Sequence, residues 1–359
     1  FVAKTLAYDQ AAGAWLKDVL MVGELLWNDP YDVWGADSMD QIAAGSSEGG
    51  YTTQGFESLS FYEISELYDR DLGGNYSWGA SDLMPLLDNG PHVVNHLGHS
   101  DVTYNMRLMN NEVDTLINAH PFFVYTQGCL PGAFDNEAPA DQGDFVYSSD
   151  CIAEHFVVGE HGAFAMVANS RYGWGSFMSD SPSQRFHRQY FDAFFGEGMA
   201  TLGEALVDSK EDNASAFSDN FIRWVGFESN LLGDPALVLK KSLNTDQALL
   251  GLYPPELDFV ALVGDEEIEA QVLRVRNDGV DTLTFTAESD QDWLTVTPES
   301  GTAPEDLQLS VDPSALEPGL HEAIAAGLEP LPRPLLLVKP ALRLPLARLL
   351  RAASKDAVV

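Results

Sequence analysis

The chain is poor in cysteine and poor in positive charge. Two cysteines in 359 residues, Cys129 and Cys151, cannot build a disulfide framework. A bond between them is the one pairing available, and it would consume a thiol that its surroundings mark for chemistry. Nineteen basic residues stand against 55 acidic ones, a net charge of −36. Such a surface repels nucleic acid and anionic lipid. It suits a salty medium, divalent cations or cationic substrates, although solubility alone is the plainer reading. No apolar run reaches bilayer-spanning length, which excludes a transmembrane helix. The chain opens on Phe1-Val2-Ala3-Lys4 rather than Met, as a fragment cut within a domain would, so a lost signal peptide is neither affirmed nor excluded.

What is present is a core. The chain is 45% hydrophobic and 11% aromatic, and its length points to two domains. The most telling stretch holds a histidine and a cysteine, each after a short apolar run. They are His92-Val93-Val94-Asn95-His96-Leu97-Gly98-His99-Ser100 and Pro121-Phe122-Phe123-Val124-Tyr125-Thr126-Gln127-Gly128-Cys129. Between them, Asn110 to Ala119 opens with capping residues and carries apolar positions at helical spacing. Strand, crossover helix, strand is the economical reading, and a right-handed crossover makes the strands parallel. Both then end on one edge, where open α/β sheets place their crevices. Neighbouring strands lie roughly 5 Å apart, or about 10 Å with one between, so His99 and Cys129 could face one substrate.

Residues 1 to about 240 alternate helical and strand-like segments. Gln10 to Trp27 reads as an amphipathic helix, residues 28–56 as a long structured loop, and Ile64–Tyr68 and Leu83–Leu87 as short elements. Asp150 is the expected N-cap of a helix to Val158, with Glu154 in its first turn. Ala163 to Ala168 is a buried-strand run ending in a polar, aromatic loop. Arg185 to Leu206 reads as helical, broken at Gly196 and Gly198. The first domain is set at 1–243, a linker at 244–254, and a second domain at 255–326. In the latter the period changes to two, with strands near 269–276, 282–287, 293–298 and 307–311, as in an Ig-like β-sandwich. Residues 327–359 depart from the rest, at net +4 against −40 for the preceding residues, and read as a disordered or frame-shifted tail.

Cys129 lies between Gly128 and Leu130-Pro131-Gly132. Small neighbours let a carbonyl approach, and backbone N–H groups there can hold an oxyanion. The thiolate would be the working nucleophile, and a buried inert cysteine is the alternative. His92, His96 and His99 raise zinc, but a strand does not bring the first two together as a helix would, and no Glu adjoins His96 in sequence. His99, after Gly98 at the strand end, is the exposed catalytic candidate. The turn Asp69 to Asn75 has oxygen ligands at alternate positions and could seat calcium, although a solvated acidic turn is the plainer reading. The acidic loop Asp135 to Asp144 is equally ambiguous.

Taken in order, Asn95-His96-Leu97-Gly98-His99-Ser100, Gly128-Cys129, Asp150-Cys151-Ile152-Ala153-Glu154, the strand with its Asn169-Ser170-Arg171 loop, and Asn230-Leu231-Leu232-Gly233-Asp234-Pro235 resemble the gingipain family of cysteine endopeptidases, relatives of caspases and legumain. The resemblance spans about residues 1–240 and implies a caspase-like α/β fold, a mostly parallel sheet flanked by helices. It implies a Cys-His dyad with an acyl-enzyme intermediate. Cys129 would attack the scissile carbonyl, His99 would carry the proton, and the N–H groups of Cys129 and Gly98 would hold the oxyanion. Ser170, Tyr172 and Trp174 match the loop that lines the cleft. The family further implies protein or peptide substrates, no cofactor for the chemistry, stabilising calcium, secretion, and maturation by loss of a pro-segment. One departure is Ser100, where the family has glycine. Residues 255–325, above all Asp292-Trp293-Leu294-Thr295-Val296-Thr297-Pro298, resemble BACON-type or Ig-like modules of secreted bacterial proteins, which suggests cell-surface association. Two other classes stay open: a non-catalytic surface or adhesion protein on a degenerate peptidase fold, and a metal-dependent hydrolase.

Overall fold

The computed structural model describes residues 1–11, 13–59, 61–74, 76–137, 146–177 and 180–240 of the first unit. Of the second it describes 248, 250–253, 257, 259, 261–262, 268–277, 282–289, 291–312, 335–336 and 350–352. The chain divides into two compact units, Phe1–Lys241 and Ser242–Val359.

The first unit is built on a six-stranded sheet. Helix α1 (Val2–Asp9) and a 3-10 turn (Ala14–Lys17) lead into β1 (Asp18–Gly23). The helix expected over Gln10–Trp27 is therefore absent. Val19, Leu20, Met21 and Val22 are all buried, because β1 is an inner strand covered on both faces. Such a strand reads as an unbroken apolar run, which periodicity cannot separate from a buried helix. Helix α2 (Gly35–Ala44) lies inside the stretch expected to be loop and buries Ala36, Met39, Ile42 and Ala43. There follow β2 (Glu63–Tyr68), α3 (Ala80–Asp88), β3 (Val93–Leu97) and β4 (Phe122–Thr126). Next come α4 (Ile152–Val158), β5 (Ala163–Asn169), α5 (Pro182–Phe195), α6 (Leu202–Asn213), α7 (Asn220–Glu228) and β6 (Ser229–Leu232).

The sheet order is β6-β5-β4-β3-β1-β2, with β6 antiparallel to β5 and every other pairing parallel. Strands β3 and β4 are direct neighbours, with His96 opposite Thr126. Their connection is not a full crossover helix. It holds a hairpin (Tyr104–Asn105 with Leu108–Met109) and one helical turn, Asn110–Val113. Met106 and Arg107 at the hairpin tip both have positive φ, the two-residue turn that suits strand twist. The Arg107 side chain secures that conformation by bonding Asp69 and the Trp78 carbonyl.

Helices cover both faces of the sheet. On one, Leu83, Leu87, Ile152 and Phe156 pack against Leu20, Val22, Val94 and Val124. On the other, aromatic pairs dominate: Tyr8 on Phe164 (centroids 3.7 Å apart), Phe123 on Tyr190 (5.7 Å) and Tyr125 on His187 (3.8 Å). The α4 N-cap is Cys151 rather than Asp150, and Glu154 accepts the Cys151 N–H at 3.0 Å. Helix α5 begins at Ser181-Pro182, with the Ser181 hydroxyl accepting the Gln184 N–H, and α6 opens on a Thr201/Glu204 capping box.

In the second unit, β7 (Leu250–Tyr253), β8 (Gln271–Asn277), β10 (Leu294–Thr297) and β12 (Glu305–Val311) form an antiparallel sheet in the order β7-β8-β12-β10. Strand β9 (Thr284–Ala287) pairs with β11 (Ser300–Thr302). Inward residues alternate, as Leu307, Leu309 and Val311 do, and meet Leu273, Val275, Phe285, Leu294 and Val296 in one core. The expected linker and the tail at 327–359 fall mostly outside the described residues.

Candidate active site

β3, β4 and β5 all end on the same edge of the sheet, and three short turns meet there. The first carries Gly98, His99 and Ser100. His99 is exposed, and its Nε2 lies 3.2 Å from the Leu26 carbonyl oxygen. A carbonyl only accepts, so Nε2 is the donor there, and Nδ1 is the ring nitrogen left to take a proton.

The second turn carries Cys129. Its half-buried thiol donates to the Gly173 carbonyl, with sulfur and oxygen 3.7 Å apart. Burial pushes the thiol up to about 11, and the charges of Glu228 and Asp101 add to the shift. The resting group is therefore a thiol rather than a thiolate. The Cys129 and Gly98 N–H groups have no hydrogen-bond partner among the described residues. Gly128 sits so close to the first turn that a Cβ there would lie 1.8 Å from Ser100 Oγ.

The third turn holds the second in place. The Asn169 amide donates to the carbonyls of Gln127 (3.2 Å) and Gly128 (3.1 Å), and the Leu130 N–H donates to the Arg171 carbonyl (2.8 Å). A Cβ on Gly173 would lie 2.2 Å from the Gln127 oxygen, so this contact requires glycine. The residues expected to line the cleft have scaffold partners. Ser170 donates both its N–H and its hydroxyl to the Glu228 carbonyl, Tyr172 packs on the core, and Trp174 lies tilted against Phe221 (centroids 4.5 Å apart). Gly173, through its backbone, is the member of this loop that touches Cys129. Sequence reasoning missed it because a carbonyl contact leaves no signature in residue type.

The three histidines do not converge. His92 is core: its Nδ1 lies 2.7 Å from the Leu16 oxygen and its Nε2 2.9 Å from the Tyr8 hydroxyl, and burial lowers it to about 3. His96 is buried between Glu24 (3.1 Å) and Thr126 (2.7 Å), so a carboxylate does adjoin it, from 72 residues away. Cys151 and Cys129 are both free thiols. In the Asp69 turn the carboxylates are already answered by arginines, Asp69 by Arg107 and Asp71 by Arg70. Glu197, Asp208 and Asp212 form an acidic cluster with oxygens within 4.8 Å of one another. Burial, then repulsion from Glu197 and Asp212, raises Asp208 to about 7.

Beside the His99 turn lies a cavity of about 130 Å³, lined by Leu26, Tyr31, Asp32, Asp37, Leu97 and Phe177 among others. Phe177 and Trp27 meet at 5.7 Å, and Phe177 and Tyr31 at 5.5 Å, as an exposed aromatic rim.

A mostly parallel sheet, with helices on both faces and turns clustered at one strand edge, is an open α/β fold with its crevice at the strand ends. The chain belongs to peptidase family C25, the gingipain family, which matches residues 1–240; residues 249–330 match the viral BACON domain. Among solved structures it is similar to the Arg-specific cysteine proteinase gingipain R (RGPB). The TM-score is 0.54 at 12% identity, over 88% of this chain and 66% of that one, just under two thirds of its length. A structure described as a protease gives 0.50 at 14%, over 86% and 65%. The complex of the pro- and mature domains of Porphyromonas gingivalis RgpB gives 0.49 at 12%, over 88% and 67%. At 12–14% identity the likeness to the first two shows the fold alone. No curated protein matches the chain in sequence.

Proposed function

We propose that the chain is a secreted cysteine endopeptidase that cleaves peptide bonds through Cys129 and His99. The carrying observation is register. His96 lies opposite Thr126 on adjacent parallel strands, and His99 and Cys129 each stand three residues further on.

Because the resting thiol is protonated, His99 Nδ1 acts as general base when the substrate carbonyl arrives. Sulfur bonds to the carbonyl carbon as its proton passes to Nδ1, and the Leu26 carbonyl steadies the resulting imidazolium through Nε2–H. The Cys129 and Gly98 N–H groups receive the oxyanion. Collapse of the tetrahedral species expels the amine, which takes the Nδ1 proton and leaves a thioester. Water, deprotonated by the same nitrogen, hydrolyses that ester and restores the thiol. This sequence requires no cofactor. Gly173 and its loop border the peptide, with Ser170, Tyr172 and Trp174 as peripheral contacts. The cavity beside His99 takes a substrate side chain, and Asp32 with the aromatic rim favours a cation, as an Arg-specific relative would require, while Asp37 is already paired with Arg70. The second unit would serve attachment at a cell surface, and calcium would act on stability rather than on chemistry.

The protonated thiol also favours a second reading, a non-catalytic surface protein on this fold. Cys129→Ala and His99→Ala separate the two. Each should abolish hydrolysis of a mixed peptide library while circular dichroism stays unchanged. Hydrolysis that survives either change, or a wild type that neither cleaves nor takes a thiol-directed peptidyl label, removes the peptidase reading.

A further inference from the structure

The turn that carries Cys129 is also gripped from the face of the sheet that α5 covers. Side chains alternate along β4 and just beyond it, so Tyr125 and Gln127 meet α5 while Thr126 turns the other way, to His96. Gln127 is 3% exposed and stands two residues before Cys129. Its Nε2 donates to Gln184 Oε1 at 2.6 Å and to His187 Nδ1 at 2.9 Å, both on α5. His187 is fully buried; burial, then the neighbouring His96, holds its ring well below the ordinary value, so the ring is neutral. Asn95 Oδ1, 2.8 Å from Nε2, accepts the one ring N–H, which leaves Nδ1 to accept from Gln127. The row therefore runs in one direction, from Gln127 through His187 to Asn95 on β3. Gln184 is fixed in turn, its Nε2 donating to the Ser38 carbonyl (2.8 Å) and to Gln41 Oε1 (2.9 Å) on α2.

We propose that Gln127 is a positioning residue for the nucleophile: its side-chain amide, held by His187 and Gln184, fixes the Cys129 turn against α5. The proposal rests on the peptidase reading of Cys129. Backbone bonds hold Gln127 at two points, its N–H on the His96 carbonyl (3.1 Å) and its carbonyl on the Asn169 amide (3.2 Å). Two points define an axis about which the turn can rock. The side-chain amide supplies a third, off that axis. Stability alone does not call for such a row. Gln127 Oε1 and Asn95 Nδ2 are buried with no hydrogen-bond partner among the described residues, and a polar row left partly unanswered is worse than apolar packing. Reaction rates, by contrast, are sensitive to rocking, since a shift of about 1 Å between reacting groups costs on the order of a hundredfold.

Three variants separate the hydrogen bonds from the packing. Gln127→Met keeps the length of the side chain and removes the amide. His187→Phe keeps a ring against Tyr125 and removes both ring bonds. His187→Gln gives up the stack but still offers an oxygen to Gln127 and an N–H to Asn95. Gln127→Met and His187→Phe should each lower kcat on a peptide substrate by at least about tenfold, with KM within about twofold. Combined, they should cost little more than the larger single loss, because both break one row. His187→Gln should stay near wild type. Amide hydrogen exchange supplies a readout that needs no activity. The amides at positions 127, 128 and 130 are all bonded. They should exchange at least about tenfold faster in Gln127→Met and His187→Phe, and near the wild-type rate in His187→Gln. A wild type that cleaves nothing ends the peptidase reading, and the exchange rates then decide by themselves whether the row holds the turn. Unchanged exchange in Gln127→Met, faster exchange with kcat retained, losses that multiply in the double variant, or a His187→Gln variant as impaired as His187→Phe, each overturns the proposal.

Discussion

Ser100 Oγ fills the space that any side chain on Gly128 would need. A Cβ at 128 would lie 1.8 Å from that oxygen and 2.6 Å from Ser100 Cβ, so rotating the hydroxyl away does not relieve the overlap. Gly128→Ala should therefore push the two turns apart. We expect a loss of on the order of a hundredfold in kcat/KM, with an overpacking cost of about 1–3 kcal/mol in stability. Adding Ser100→Gly should recover part of both. A double-mutant cycle in kcat/KM and thermal midpoint checks it, and strictly additive effects would show that the contact is not what couples the turns.

The protonated thiol carries a pH signature. With Cys129 raised to about 11, its thiolate fraction grows tenfold per pH unit throughout the range from 6 to 9. Iodoacetamide should alkylate Cys129 at a rate that climbs across that whole range. A resting thiolate–imidazolium pair would instead give a plateau beginning at acid pH. Stopped alkylation followed by mass spectrometry distinguishes the two curves.

Asp69 and Arg107 are both buried, and removing the Asp69 charge leaves Arg107 with only its longer ion pair to Glu24 (3.6 Å). Burial pushes the Asp69 carboxyl up, but bonds from Arg107, the Leu25 N–H and Ser77 outweigh it and hold the group below the usual carboxylate range. A folded-state value below the unfolded one gives stability that is present above about pH 4 and lost as pH falls further. Asp69→Asn should cost about 3–5 kcal/mol near neutrality and less as the medium becomes acidic. Denaturant titrations at pH 7 and pH 3.5 measure the difference.

The sign reverses at Asp208. Its folded value of about 7 exceeds the unfolded 3.8, so the folded state holds its proton more tightly and loses stability as pH rises through that interval. Asp208→Asn should raise the thermal midpoint by about 2–4 °C at pH 8 and by much less at pH 5. Equal shifts at both pH values would mean that neither burial nor repulsion from Glu197 and Asp212 strains the Asp208 carboxylate.

The strands carrying His99 and Cys129 were legible because each is a short apolar run stopped by a glycine, a local pattern. β1 was not, since covering both of its faces erased the alternation by which a strand is recognised. Helix α2 was hidden for the opposite reason: Asp37 and Asp40 on its outward side made a helix with Ala36, Met39, Ile42 and Ala43 beneath it resemble a loop. The strands of the second unit were readable because one face of each is wet, as Thr295 and Thr297 alternate with buried Leu294 and Val296. Within the site, the residues named from sequence were those whose chemistry shows in a single letter. Glu24, Asn169 and Gly173 act through partners 72, 41–42 and 44 residues away, so only the folded chain brings their roles into view.

Strand β2 forms one border of the six-stranded sheet, and Glu63, Ser65 and Glu66 along it face solvent. An open border is a template on which a second copy could add its own backbone. Here any such arrival would bring Glu63 and Glu66 near an incoming strand's own carboxylates across a gap of about 5 Å, and their repulsion opposes it. The acidity that first looked like a trait of the whole surface thus also disfavours edge-to-edge pairing at this border.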